Sequence, residues 1–275
     1  MNAHRKNSSP EMGFTRGDLL VVMAVVLMLA VVQLPSFGNT KSGSQSAVCA
    51  SNLRRLIQAW TMYADDNGGR LVPNNGQLSN LNTNHTWADG WLDFTSSFHN
   101  INVNHLVRPE SSNGRSGLLG PYLDRDASVF KCPADRSSVM IFGRVFSRVR
   151  SFSMNNWMGG NAYTQQDDYK VFQKLEDITR PEPAKAMVFL EEREDSINDS
   201  TFYVDMNRSL VDYPAYRHDG GANLAYADGR VAYRYWEDPR TVTLQAPTNE
   251  AIPLIVSMPN NPDLDFLRSV ATALK

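Results

Sequence analysis

The sequence has little cysteine, little histidine and no excess of either charge. Among 275 residues there are two cysteines and five histidines. Two cysteines exclude a disulfide-dense scaffold and a four-cysteine zinc site. Basic and acidic side chains number 27 and 29, for a formal net charge of −2. A nucleic-acid binder needs a basic excess to neutralise phosphates, so no nucleic-acid partner is expected. A disordered chain needs low hydrophobicity and high net charge, and here 42% of residues are apolar. Enzyme signatures are also missing. There is no G-x-S-x-G elbow, no H-E-x-x-H, no Walker A loop and no C-x-x-C. No catalytic residue is assigned, and the chain is not read as an enzyme. There is no internal repeat.

What is present is unevenly placed. Residues 19–34 read LLVVMAVVLMLAVVQL, of which fifteen of sixteen are apolar. Before them lie His4, Arg5 and Lys6 in a polar stretch. A basic start followed by one apolar run reads as an export signal or a membrane anchor. As a helix, residues 14–34 would span about 31 Å, enough to cross a bilayer. That span includes Asp18, whose carboxylate costs about 2.5–3.5 kcal/mol in such a segment. A cut between Gly13 and Phe14 would free an ammonium on Phe14. Asp18 could then meet the ammonium of a neighbouring copy and set register between packed helices.

The segment GFTRGDLLVVMAVVLMLAVV resembles the leader junction of type IV pilins and type II secretion pseudopilins. The matching features are Gly13 before the cut, Phe14 after it, an acid five residues into the mature chain, and Pro35 at its twenty-second position. The family's acid is normally Glu, and Arg16-Gly17 replaces its usual pair before it. The resemblance implies cleavage by a prepilin peptidase, N-methylation of Phe14 and a helix kink at Pro35. Two other readings stand beside it. One is an ordinary signal peptide ending at Ser36-Phe37-Gly38, with Asn39 as the new start. The other is an uncleaved anchor.

Downstream, Asn39–Ala47 is a small, polar linker. Leu53, Leu56, Ile57, Trp60 and Tyr63 follow the spacing of an amphipathic helix, which Asn67-Gly68 should stop. Residues 74–117 read as a long loop-dominated insertion with Trp87, Trp91 and three histidines. Strands are expected at Ala186–Leu190, Thr201–Asp205, Asn223–Ala227 and Arg230–Trp236. Asp228-Gly229 would join the last two in a two-residue turn. Asn261-Pro262-Asp263 should cap a final helix bearing Leu264, Leu267, Val270, Ala271 and Leu274.

The segment RHDGGANLAYADGR, Arg217–Arg230, places nine residues between His218 and Asp228-Gly229. It is similar to the H-X9-DG motif that accompanies pilin-like leaders in verrucomicrobial and planctomycetal proteins. CASNLRRLIQAWTMYADDNGGRL, FKCPADRS, VRSFSMNNWM and VFLEEREDSINDSTF resemble that group as well. Two readings of the motif remain open. His218 and Asp228 could ligate a metal with the acids of Glu191–Asp195 nearby, or the motif could be a turn with His218 bonded to backbone. The acidic run Glu191–Asp199 reads as a solvated loop. No cofactor is assigned and the metal is left unknown, although some pseudopilins bind calcium in a loop of the globular domain. In an exported domain, Cys49 and Cys132 would form a disulfide, with a loop-closure contribution of about 4–5 kcal/mol.

The resulting expectation is an α+β, pilin-like protein. It has a leader at 1–13, a hydrophobic transmembrane helix at 14–34, a linker at 35–48 and an exported globular domain at 49–275. In that domain an amphipathic helix packs on a small antiparallel sheet with long loops. The chain would sit in the inner membrane as a single-pass protein, its head in the periplasm or at the cell surface. It would assemble with other pilin-like subunits into a secretion pseudopilus or a pilus-like fibre. The alternative is a tethered, non-polymerising protein that binds glycans through Trp87 and Trp91.

Overall fold

The computed structural model describes residues 15–33, 36–74, 86–112, 117–160, 168–207, 209–243 and 255–275. Gly13, Phe14 and Pro35 lie outside these residues. The chain divides into two units, Met1–Lys41 and Ser42–Lys275.

In the first unit, α1 runs Arg16–Gln33. Thr15 and Asp18 start it reciprocally. The Thr15 N–H and hydroxyl both donate to the Asp18 carboxylate at 2.8 Å, and the Asp18 N–H donates back to the Thr15 hydroxyl. This is a capping box, which satisfies donors that a helix start leaves unpaired. The box puts Arg16 and Asp18 in the opening turn, and the 18 described residues of α1 span about 27 Å. Among the described residues no helix is long and apolar enough to cross a membrane. The expected transmembrane helix and single-pass inner-membrane placement are therefore overturned.

Next, α2 runs Ser36–Asp66, so helix occupies the stretch read as a flexible linker. Leu53, Leu56, Ile57 and Trp60 are buried along one face, as their spacing requires. The Asn67 and Gly69 amides close the helix on Ala64, and Gly68 and Gly69 take positive φ. The remaining helices are α3 (Asn104–Val107), α4 (Pro239–Thr243) and α5 (Pro262–Ala271). Asn261 caps α5 by accepting the Asp263 and Leu264 amides, with Pro262 at its first position.

The strands are β1 (Ser138–Ile141), β2 (Arg144–Ser147), β3 (Phe152–Asn155), β4 (Met187–Glu191) and β5 (Thr201–Phe202), followed by β6 (Ser209–Leu210), β7 (Gly221–Tyr226), β8 (Val231–Tyr235) and β9 (Val256–Ser257). The main sheet has the order β5-β3-β4-β7-β8. It is mixed rather than antiparallel, because β5 pairs with β3 in parallel. Two apolar clusters cover it. The first joins the α2 face to Trp87, Phe130, Phe152, Val188 and Phe189. The second joins α5 to Leu190, Leu224, Trp157 and Trp236. A bulge between Met187 and Phe189 puts Val188 and Phe189 in the same cluster. After it, alternation sends Leu190 to the α5 side and Glu191 to the α2 side.

A buried cluster of two cysteines, a glutamate and a histidine

Four elements meet where α2 crosses the end of the sheet. Cys49 comes from α2. Cys132 follows the short turn Ala127–Phe130, held by the bond from its own N–H to the Ser151 hydroxyl at 3.1 Å. Glu191 ends β4. His218 precedes β7, across a two-residue turn in which Asp219 and Gly220 take φ of 51° and 85°. Such a turn needs positive φ at both positions, which Asp-Gly supplies. Its ends are tied by the His218 N–H to the Gly221 carbonyl and the Gly221 N–H to the His218 carbonyl.

The four side chains converge. Their ligand-type atoms all lie within 4.8 Å of one another, and all four residues are buried. The Cys49 thiol donates to Glu191 Oε1 at 2.6 Å. His218 Nε2 lies 3.2 Å from Glu191 Oε1 and 3.4 Å from Cys132 Sγ. Asn223 donates to Glu191 Oε1 through both its backbone N–H and its side-chain amide, each at 3.1 Å. That amide also reaches Ser46 on α2. Glu191 Oε2 and His218 Nδ1 are buried with no hydrogen-bond partner.

The protonation pattern follows from this packing. Burial above all, with Cys132 and Glu191 adding to it, pushes the Cys49 thiol up. The hydrogen bond from Cys49 leads in pulling Cys132 down to about 6, against burial and with help from His218. Burial pulls His218 down, but Cys132 and Glu191 outweigh it and hold it up at about 10. Burial raises Glu191, and His218 and Cys49 more than reverse it. This packing favours the neutral form of Cys49 and the ionised forms of Cys132, His218 and Glu191. Arg217 faces the cluster and is itself held among Asp135, Glu194 and Glu191.

No family model, no curated protein and no solved structure matches this chain.

Set against the sequence expectations, the structure separates the motif that spacing had joined. Asp228 is exposed and lies past the far end of β7, whose six residues span about 20 Å. It does not share a ligand shell with His218. Asp228-Gly229 closes the β7–β8 hairpin, as one reading held, but through a three-residue loop. The Tyr226 N–H reaches the Arg230 carbonyl, and among these loop residues only Gly229 has positive φ. The two cysteines are free rather than bridged. Glu191 and Glu192 are fully buried, not solvated. Sequence reasoning placed the acids near His218 but missed that both cysteines join them. The available signal was a second Asp-Gly, Asp219-Gly220, immediately after His218.

Trp87 is buried, stacked on Phe130 with ring centroids 5.8 Å apart and edge-on to Phe189 at 5.0 Å. It anchors its loop on the core and offers no face to a sugar. Of the three histidines in that region, His85 lies outside the described residues. His99 accepts the Trp91 amide, and His105 pairs with Asp89.

Proposed function

We propose that the chain is a pilin-like subunit that assembles with copies of itself through α1, after cleavage between Gly13 and Phe14. One observation carries this reading. Nine large apolar side chains of α1, from Leu19 to Met28, are each 49–74% exposed. A helix that docks on its own head needs one apolar stripe, whereas a helix apolar all round needs neighbours on every side. Each such side chain contributes about 1.5–3 kcal/mol when buried. A handful buried between copies offsets an association cost of about 4–15 kcal/mol.

Asp18 acts at two levels in this proposal. Its carboxylate caps α1, and its charge faces the new ammonium of a neighbouring copy. The prepilin peptidase and other pilin-like subunits are the partners this reading calls for. Glycan binding has less support, because Trp91 is the one tryptophan of its pair with exposed surface.

The test is assembly of the cleaved chain, read by sedimentation and electron microscopy. Fibres are expected from the natural sequence. A Val22→Asp, Val26→Asp variant should remain monomeric while its head melts at the same temperature. A natural chain that stays monomeric, or a charged variant that still forms fibres, overturns the proposal.

A further inference from the structure

We propose that Cys49, Cys132, Glu191 and His218 form a structural zinc site that clamps four elements of the head together. This stands on the geometry of residues 42–275 and does not depend on whether α1 assembles.

Zinc bonds of about 2.0–2.3 Å place tetrahedral donors about 3.3–3.8 Å apart. The His218–Glu191 and His218–Cys132 separations, 3.2 and 3.4 Å, already match. The Cys49–Glu191 contact of 2.6 Å must open by about 1 Å to reach a tetrahedral edge. A rotation of either side chain supplies that. A second observation points the same way. Glu191 is completely buried, yet its Oε2 has no partner, while Oε1 takes both Asn223 donors. A cation would compensate that buried charge. Oε1 also faces Cys49 and His218, so it is the ligand oxygen, and the two Asn223 bonds hold it toward them. Hydrogen bonding of that kind fixes a ligand's orientation at metal sites.

The donor set selects the ion. Two sulfurs, one imidazole and one carboxylate suit zinc, a borderline-soft ion that takes four ligands. Calcium requires six to eight oxygens and magnesium an octahedral oxygen shell, so neither fits. All four donors belong to the protein and all are buried, which describes a closed, structural site rather than a catalytic one. Zinc takes cysteine as thiolate and histidine as neutral imidazole, so binding releases to solvent the protons that the thiols and His218 Nε2 carry.

The test uses the full chain, purified under reducing conditions without chelator. Elemental analysis should find one zinc per chain. Both thiols should resist a thiol reagent until a chelator is added. Removing zinc should lower the melting temperature, and zinc, but not calcium or magnesium, should restore it. Cobalt in place of zinc should show a tetrahedral spectrum with a thiolate charge-transfer band. Glu191→Gln should weaken zinc binding at least tenfold, and Asp228→Ala should leave it unchanged. Because ligand variants could misfold, the natural chain decides. Folded protein with free thiols that takes up no zinc overturns the proposal. So does a mass short by two hydrogens, which would mark a Cys49–Cys132 disulfide, or a cobalt spectrum without thiolate bands.

Discussion

His218 and Asp228 show how far a residue's role depends on which end of a strand it occupies. Both were legible as special in the sequence. Their spacing sets the length of one strand plus its flanking turns, so they serve opposite ends of β7. Asn223 lies between them on the α2 side of the sheet and holds Glu191. Asn223→Ala should leave zinc stoichiometry unchanged but weaken affinity about 10–100-fold, as measured by chelator competition. A separate residue, Asp212, is buried beside Glu192, and burial first, then that neighbour, raises its carboxyl well above the ordinary range. A carboxyl raised by folding favours its protonated form. Its contribution to stability is complete below the unfolded value of 3.8 and is lost as pH rises through the folded value. Asp212→Asn keeps an acceptor for the Tyr203 amide, which donates to Asp212 at 2.6 Å. Thermal melts of the variant should therefore fall less between pH 4 and pH 8 than those of the natural chain. Cys49 and Glu191 could not be paired from sequence. They are 142 residues apart, and the bulge in β4 decides which face Glu191 takes.

At the scale of elements, local pattern was legible and long-range pairing was not. The spacing of Leu53, Leu56, Ile57 and Trp60 identified the α2 face, and Asn261-Pro262 identified the start of α5. β4, β7 and β8 fell within a residue or two of their expected bounds. β5 begins at Thr201 as expected but ends at Phe202, and its partner β3 escaped, because their parallel pairing is set by tertiary contact rather than by local alternation. The stretch at 36–48 read as linker because Gly38, Gly43 and its serines disfavour helix by up to about 1 kcal/mol each. Helix there extends from the amphipathic half of α2, whose packing supplies the stability that propensity lacks. The β7–β8 hairpin is the element on which the site depends most closely. A Cβ on Gly221 would lie 2.1 Å from the Arg234 carbonyl oxygen. Gly221→Ala should destabilise the head by about 1–3 kcal/mol in denaturant melts and weaken zinc binding, because β7 and His218 shift together. By contrast, a Cβ on Gly229 meets nothing within 4 Å, but φ is 86°. Gly229→Ala should cost about 1–2 kcal/mol through backbone strain alone and leave zinc affinity intact.

For the whole molecule, the sequence marked an apolar amino terminus joined to a polar head. It overstated what that terminus does. α1 begins in a capping box around Asp18, and among the described residues no helix is long and apolar enough to cross a membrane. Its exposed apolar surface still needs neighbours, and copies of the same helix supply them in the proposed assembly. Asp18→Asn should separate the two tasks of Asp18. It retains an acceptor for the Thr15 amide, so α1 should still form by circular dichroism. It removes the charge, so fibre yield should drop. Equal yield would confine Asp18 to capping. The most direct measurement on the central proposal is amino-terminal sequencing of the protein recovered from its native cells. Phe14 as the first residue, carrying an N-methyl group, is the expected result. Asn39 as the first residue would remove α1 from the mature chain and contradict assembly through it.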